Sequence, residues 1–187
     1  KDVANECFMP LSYGGGIDNL EKAKRIYDIG FEKIILNTHA LENPGLIAEI
    51  ANIFGSQAII ASVDYKKNLF GKKIVMSHSG TKKTKFLPNE WCKQLQDFGA
   101  GEILLTSIDK EGTWEGFDKE TISAVSDQLN IPVIANGGCG SVEDIEDLLS
   151  NTNVSAVALG SILVFQKKGM GVLVNFPDRK RLDSINQ

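Results

Sequence analysis

Two hydrophobic rhythms alternate along this chain. Short runs rich in β-branched and other apolar residues fall at 8–13, 33–37, 58–64, 103–107, 132–136 and 156–161, and these read as strands. Between them, residues 20–29, 44–54, 88–98, 119–129 and 142–150 place apolar residues at i, i+3 and i+4, the spacing of a helix with one buried face. Gly30 and Gly99 stand where helices should end, and Asn19, Asn43, Asp118 and Ser141 where they should begin. Alternating strand and helix predict an α/β fold with a parallel sheet. One segment breaks the rhythm. Between Asp64 and the helix at 88, residues 72–78 (KKIVMSH) read as an extra strand or hairpin inside a long strand-to-helix loop, the kind of loop in which functional groups collect.

The pattern also repeats on the scale of half a domain. Residues 8–41 reappear in outline at 130–164, with Pro10 answering Pro132 and Asn37-Thr38 answering Gly160-Ser161. Each copy reads as strand, Gly-rich turn, helix, strand and small polar turn. Glycines just past a strand let backbone N–H groups point at an anion with no Cβ in the way, so two related turns suggest a ligand with two phosphates. Singly, each Gly pair is weak evidence, because a strand-to-helix turn needs Gly for its geometry anyway.

Composition narrows the class without choosing the function. A chain of 187 residues with 42% hydrophobic content can bury one sizeable core, and no stretch marks a linker. A net charge of −4 argues against nucleic acid or a membrane surface as the main partner. Cys7, Cys92 and Cys139 are widely spaced and form no CxxC pair, which fits a reducing cytoplasm and no zinc site. His39 and His78 are the only histidines, too few for a metal cluster, so no metal or cofactor is expected. No apolar run approaches the ~18 residues of a membrane span, and the first residues lack a signal peptide's apolar core. A soluble, cytoplasmic protein is the expectation.

Two parallel architectures compete, a doubly wound open sheet and a (β/α)8 TIM barrel. The half-repeat favours the barrel, since an eight-stranded ring divides into related halves whereas a doubly wound sheet reverses at its middle. A barrel usually needs about 250 residues. If the repeat unit is half a barrel, its copies fall on barrel strands 3–4 and 7–8. Strands 3–8 are then present, as one incomplete barrel domain over 1–187, and strands 1 and 2 would lie upstream of Lys1.

Five ordered motifs, PLSYGGGI, IILNTHALENPGLI, FGSQAIIASVDYKK, FGAGEILLTSIDKEGT and IPVIANGGCG, resemble the cyclase subunit of imidazole glycerol phosphate synthase, and the likeness runs to about Phe165. The resemblance implies a barrel that takes ammonia from a separate glutaminase partner. On its C-terminal face, ammonia reacts with a bis-phosphorylated ribulosyl aminoimidazole to give imidazole glycerol phosphate and an aminoimidazole carboxamide ribotide. Asp64 matches the family's general acid/base carboxylate. Its catalytic partner in that family is an aspartate on the first barrel strand, absent from this sequence, so the chain alone is not expected to run the full reaction. One phosphate should meet Gly15, Gly16, Asn37 and Thr38; the other Gly137, Gly138, Gly160 and Ser161, with Gly112. Thr106, Ser107 and Asp109 occupy the substrate-contacting turn after the sixth strand.

Strand parity adds a second test. Counting by twos back from Asn37 reaches Lys33, and back from Thr106 reaches Glu102, so both charges share the inward face of the site residues. Inward charges at the base of a barrel are costly without a partner. They match two members of the family's charged ammonia gate, and Gln57 fits a position near the glutaminase interface, although a loop Gln is more often simply solvated. Trp91 reads as core; Trp114, in a loop over the site, and the Lys66-Lys67 pair could contact ligand, although a loop Trp more often does not and such a lysine pair is more often simply solvated.

Departures from the histidine-pathway pattern point elsewhere. Asn136 stands where the cyclase has Ser, Glu111 where it has its second acid, and NGGCGS with the ending VLVNFPDRKRL resembles paralogues found with surface-polysaccharide loci. Those relatives are thought to feed ammonia to a sugar-modifying partner. Three readings stay open: a cyclase subunit, an amidination paralogue acting on a nucleotide-linked sugar, and a non-catalytic subunit that docks a glutaminase.

Overall fold

The computed structural model describes residues 6–165 together with Gly171 and Val172. The ending VLVNFPDRKRL, apart from its first residue, lies outside them. Among the described residues eight strands form one sheet: β1 (Ser12–Gly14), β2 (Lys33–Leu36), β3 (Ile59–Lys67), β4 (Lys73–Ser77), β5 (Lys82–Lys83), β6 (Glu102–Ser107), β7 (Val133–Asn136) and β8 (Ala156–Ala158). Six of them run parallel in the order β1-β2-β3-β6-β7-β8, while β4 and β5 branch antiparallel from β3. The helices are α1 (Leu20–Ile29), α2 (Thr38–Glu42), α3 (Gly45–Phe54), α4 (Pro88–Asp97), α5 (Lys119–Ser126), α6 (Val142–Asn151) and α7 (Ser161–Val164). The strands curl as an arc of the (β/α)8 barrel that the half-repeat predicts.

Alternation along the strands divides the sheet's two faces. Ile34, Leu36, Ile59, Ala61, Val63, Tyr65, Ile103, Leu105, Val133 and Ala135 are all buried on the convex side. With Ile47, Ile50, Trp91, Leu95, Val125 and Leu148 of the helices they make one continuous apolar cluster. The residues between them in sequence face the concave side and are half-buried: Lys33 and Ile35, Ser62 and Asp64, Glu102, Leu104 and Thr106, Ile134 and Asn136. The core therefore lies between sheet and helices, while the concave side carries an apolar middle of Ile35, Ile60, Leu104 and Ile134 with polar groups towards its two ends.

Several boundaries move for local reasons. The strand expected at 8–13 is confined to Ser12–Gly14; Pro10 has no N–H for a ladder, and the Leu11 N–H donates to the Glu32 carboxylate at 2.6 Å. The strand expected at 58–64 continues to Lys67 because its end pairs with β4, as Lys67 with Lys73. The strand expected at 156–161 stops at Ala158, since Gly160 caps α7. Asn19 and Ser141 cap their helices as expected, accepting from the N–H of Lys22 (2.9 Å) and Asp144 (3.2 Å). Asn43 does not: its N–H ends α2 on the His39 carbonyl, and Pro44 caps α3. Asp118 precedes α5 but makes no side-chain bond to that helix's N–H groups. Its carboxylate instead accepts from Lys73, Tyr65 and Thr121, tying the β4 strand to α5.

Candidate functional site

Asp64, Thr106, Asn136 and Ala158 fall in one row across β3, β6, β7 and β8, at the C-terminal ends of the parallel strands. The Asp64 carboxylate accepts from Asn37 Nδ2 (2.9 Å) and Ser62 Oγ (3.3 Å), and Asn136 Nδ2 donates to Thr106 Oγ1 (3.2 Å). Burial pushes the Asp64 carboxyl above the ordinary carboxylate range, partly offset by hydrogen bonds from Asn37, Ser62 and Thr106. A carboxyl with a raised proton affinity, held on a strand and reached by solvent, is suited to give and take protons. Ser62 escaped the sequence reading, though it lies two residues before Asp64 and parity alone puts it on the same face.

A pocket of about 380 Å³ opens in front of Asp64, lined among others by Gly15, Gly16, Asn37, Thr38 and Ser79. Gly15 and Gly16 adopt φ of 113° and 68°, and a Cβ added to either would meet nothing within 4 Å. This turn is open backbone facing the pocket, the condition for close approach by an anion. Ser79 arrives from far in sequence. His78, Ser79 and Gly80 have φ of 51°, 54° and 79°, and this left-handed turn is held by the His78 N–H donating to Thr38 Oγ1 at 3.1 Å. No local pattern announces such a contact.

The second glycine turn is built differently. A Cβ at Gly137 would lie 2.7 Å from the Ser107 carbonyl oxygen, and one at Gly138 only 2.3 Å from that of Gly116. The Gly116 N–H donates to the Gly138 carbonyl at 2.8 Å, so these glycines let the turn after β7 pack onto the loop after β6. The space enclosed by Glu111, Gly112, Gly137, Gly138, Gly160 and Ser161 is about 10 Å³, no more than a single water requires. The Glu111 carboxylate lies on this cradle, 3.7 Å from where a Gly160 Cβ would stand.

Ser107 and Asp109 separate from Thr106. Ser107 is buried on the convex side, and with Asp109 and Tyr65 it borders a different cleft of about 290 Å³. The Asp109 carboxylate accepts the Lys67 N–H at 2.7 Å, fastening the sixth-strand loop to the end of β3. Lys66 donates to the Gly80 carbonyl at 3.4 Å. Trp91 is buried against Phe86, and Trp114 packs onto the core. His39 borders the Asp64 pocket, and both histidines approach Glu42, at 3.6 Å from His39 and 3.5 Å from His78. Among the described residues no group of His, Cys, Asp and Glu is arranged to hold a metal ion.

At the other end of the concave face, Lys33 and Glu102 form an ion pair, as their common parity predicts. Four residue steps along β6 lead from Glu102 to Thr106, a span of about 13 Å at the rise of a strand. Gln57 is exposed and donates to the Phe54 carbonyl at 3.1 Å, closing the end of α3.

The residue pattern of the histidine biosynthesis protein family matches positions 1–168. The chain belongs to that family. Within the histidine biosynthesis proteins, a Pseudomonas aeruginosa protein provisionally named imidazole glycerol phosphate synthase subunit hisF2 is 46% identical over 182 residues, 97% of this chain and 72% of its own length. A Leptospira interrogans protein provisionally named subunit HisF is 42% identical over 184 residues, 98% of this chain and 72% of its own. The imidazole glycerol phosphate synthase subunit HisF of Chlorobium phaeovibrioides is 44% identical over 165 residues, 88% of this chain and 65% of its own. The relatives thus include both provisional and plain HisF-subunit names. No helix among the described residues is long and apolar enough to cross a membrane.

Proposed function

We propose that this protein is the ammonia-using cyclase subunit of a glutamine amidotransferase of the imidazole glycerol phosphate synthase type. The observation that carries the reading is the pairing of two ends of one concave face. Asp64 stands in an open pocket at the C-terminal end, and the Lys33–Glu102 pair sits at the other. In this reading Lys33 and Glu102 admit ammonia from a glutaminase partner, with Gln57 near that interface. Gly15, Gly16, Asn37 and Thr38 hold one phosphate of the bis-phosphorylated ribulosyl aminoimidazole. Gly112, Gly137, Gly138, Gly160 and Ser161 hold the other, and Thr106 flanks the chain of the substrate, while Ser107 and Asp109, which border a separate cleft, position the loop after β6. Asp64 moves protons as ammonia adds and the imidazole ring closes; Asn37 and Ser62 fix its carboxylate by hydrogen bonds to both oxygens.

One observation favours the amidination paralogue as the second reading. The cradle at Gly137 to Ser161 is nearly filled and bordered by the Glu111 carboxylate, whereas the cradle at Gly15 is open. A site with one open anion grip suits a ligand whose second phosphate is absent or sits elsewhere, such as a nucleotide-linked sugar. The two readings separate in one assay: turnover of the ribotide by the full-length protein with ammonium supplied, followed by chromatography of imidazole glycerol phosphate. Ammonia-dependent product supports the cyclase, and its absence at saturating ribotide, with the protein folded, overturns it.

A further inference from the structure

The hairpin that breaks the sequence rhythm has a charge unlike the rest of the molecule. Residues 66–85 contain seven of the chain's 20 cationic residues, all of them Lys, and none of its 24 acidic ones. Lys73 is neutralised by Asp118 and Glu120, while Lys67, Lys72, Lys82, Lys83 and Lys85 are exposed. At the tip, between Lys67 and Lys72, Leu69 is 96% and Phe70 94% exposed. Two adjacent, fully solvated apolar side chains in a lysine collar are an unusual use of a surface turn.

The tip is also rigidly made. Asn68 Oδ1 accepts the N–H groups of Phe70 and Lys72, both at 2.9 Å, the Asn68 N–H donates to the Lys72 carbonyl at 2.9 Å, and the Gly71 N–H to the Asn68 carbonyl at 3.0 Å. Gly71, at φ 77°, supplies the left-handed residue that this turn needs. Below it, Asp118 fixes β4 to α5. Leu69 and Phe70 are therefore presented on a pre-ordered turn, which lowers the entropy cost of burying them in a partner. They emerge beyond the C-terminal ends of the strands, away from the Lys33–Glu102 pair.

We propose that this hairpin docks an acidic protein partner, with Phe70 and Leu69 seated in an apolar pocket and the lysines facing carboxylates around its rim. An aromatic anchor inside a charged rim is the anatomy of a stereospecific protein contact, in which the rim sets encounter rate and the anchor sets lifetime. A bilayer gains little from two side chains on a single turn. This docking holds whether the Asp64 pocket cyclises a ribotide or serves another acceptor.

The test replaces Phe70 by p-benzoylphenylalanine in the full-length protein in its source cells, with the same photoprobe at exposed Lys24 as control. The protein crosslinked through position 70 alone is identified, purified and titrated against wild type, the double variant L69S/F70S and the double variant K67E/K72E. Expected are an acidic protein, binding about 30-fold weaker with the tip serines, the size of a hot-spot truncation, and weaker, less salt-sensitive binding with the glutamates. The proposal is overturned if position 70 yields no adduct beyond the control, if the adduct is a second copy of this chain, or if neither double variant weakens binding. It is equally overturned if the wild type pellets with vesicles of 70:30 phosphatidylcholine and phosphatidylglycerol and the tip serines abolish that.

Discussion

Replacing Asp118 by Ala should destabilise the protein by about 2–4 kcal/mol, because one carboxylate there satisfies three groups. Its side chain is 14% exposed and accepts from Lys73 Nζ at 3.0 Å, Tyr65 OH at 3.0 Å and Thr121 Oγ1 at 2.8 Å. Tyr65 is buried, so its hydroxyl loses the acceptor it has in the fold, a cost of about 1–3 kcal/mol. Thr121 can turn back to its own helix, and Lys73 keeps Glu120 at 2.7 Å, so the ion pair adds about 1 kcal/mol rather than the ~3–5 of a fully buried pair. Asp118→Asn retains an acceptor of the same shape and should cost about half as much. Burial alone would raise the Asp118 carboxyl, but hydrogen bonds from Lys73 and Thr121 and the Lys73 charge hold it below the ordinary range. A folded-state value below the unfolded one of about 3.9 gives stability that is present at neutral pH and lost as pH falls through the folded value. Urea unfolding of wild type, Asp118→Ala and Asp118→Asn at pH 7 and pH 3 measures both effects. With a slope of about 2 kcal/mol per molar urea, the Ala variant's midpoint should fall by roughly 1–2 M at pH 7. A loss under about 0.5 kcal/mol at pH 7, the scale of an ordinary surface substitution, would refute the reasoning, as would a gap that does not narrow at pH 3.

Asp64 carries the opposite sign. Its raised carboxyl means that the charged form costs stability as pH rises through the folded value, so Asp64→Asn should melt higher than wild type at pH 7, with the difference fading below about pH 4. The same variant should lower ammonia-driven turnover by about 10²–10⁴, and full activity would remove Asp64 from proton transfer. Gly138→Ala combines φ 106° with a carbonyl oxygen 2.3 Å from the new Cβ, whereas Gly15→Ala meets open space at φ 113°. Thermal melts should therefore show a loss of about 3 kcal/mol for the first and about 1 kcal/mol for the second, while ligand affinity suffers more from the second. Lys33→Met should lower glutamine-driven turnover about tenfold and leave ammonium-driven turnover near wild type; equal losses in both would argue for a structural role alone.

Much of this fold was legible before any coordinate. Periodicity placed five helices and six parallel strands because each buries one face, and burial writes itself into the sequence as spacing. Parity set Lys33 and Glu102 on a common inward face, and they meet. Asp118 shows the limit: it sits where a cap belongs, and a neighbouring hairpin takes its carboxylate instead. The glycine turns show another. Both read as anion grips, and only packing distinguishes the open one at Gly15 from the one at Gly138 that lets two loops touch.

By itself the sequence determined the alternating parallel sheet, its family and the row of inward side chains, since these follow from local periodicity and motif. The tertiary structure alone decided which groups surround Asp64, that Ser79 reaches its pocket across the chain, and that the glycines of the second turn let two loops touch. Such contacts join residues tens of positions apart and depend on how turns fold back and loops pack. Spacing along a chain does not encode that.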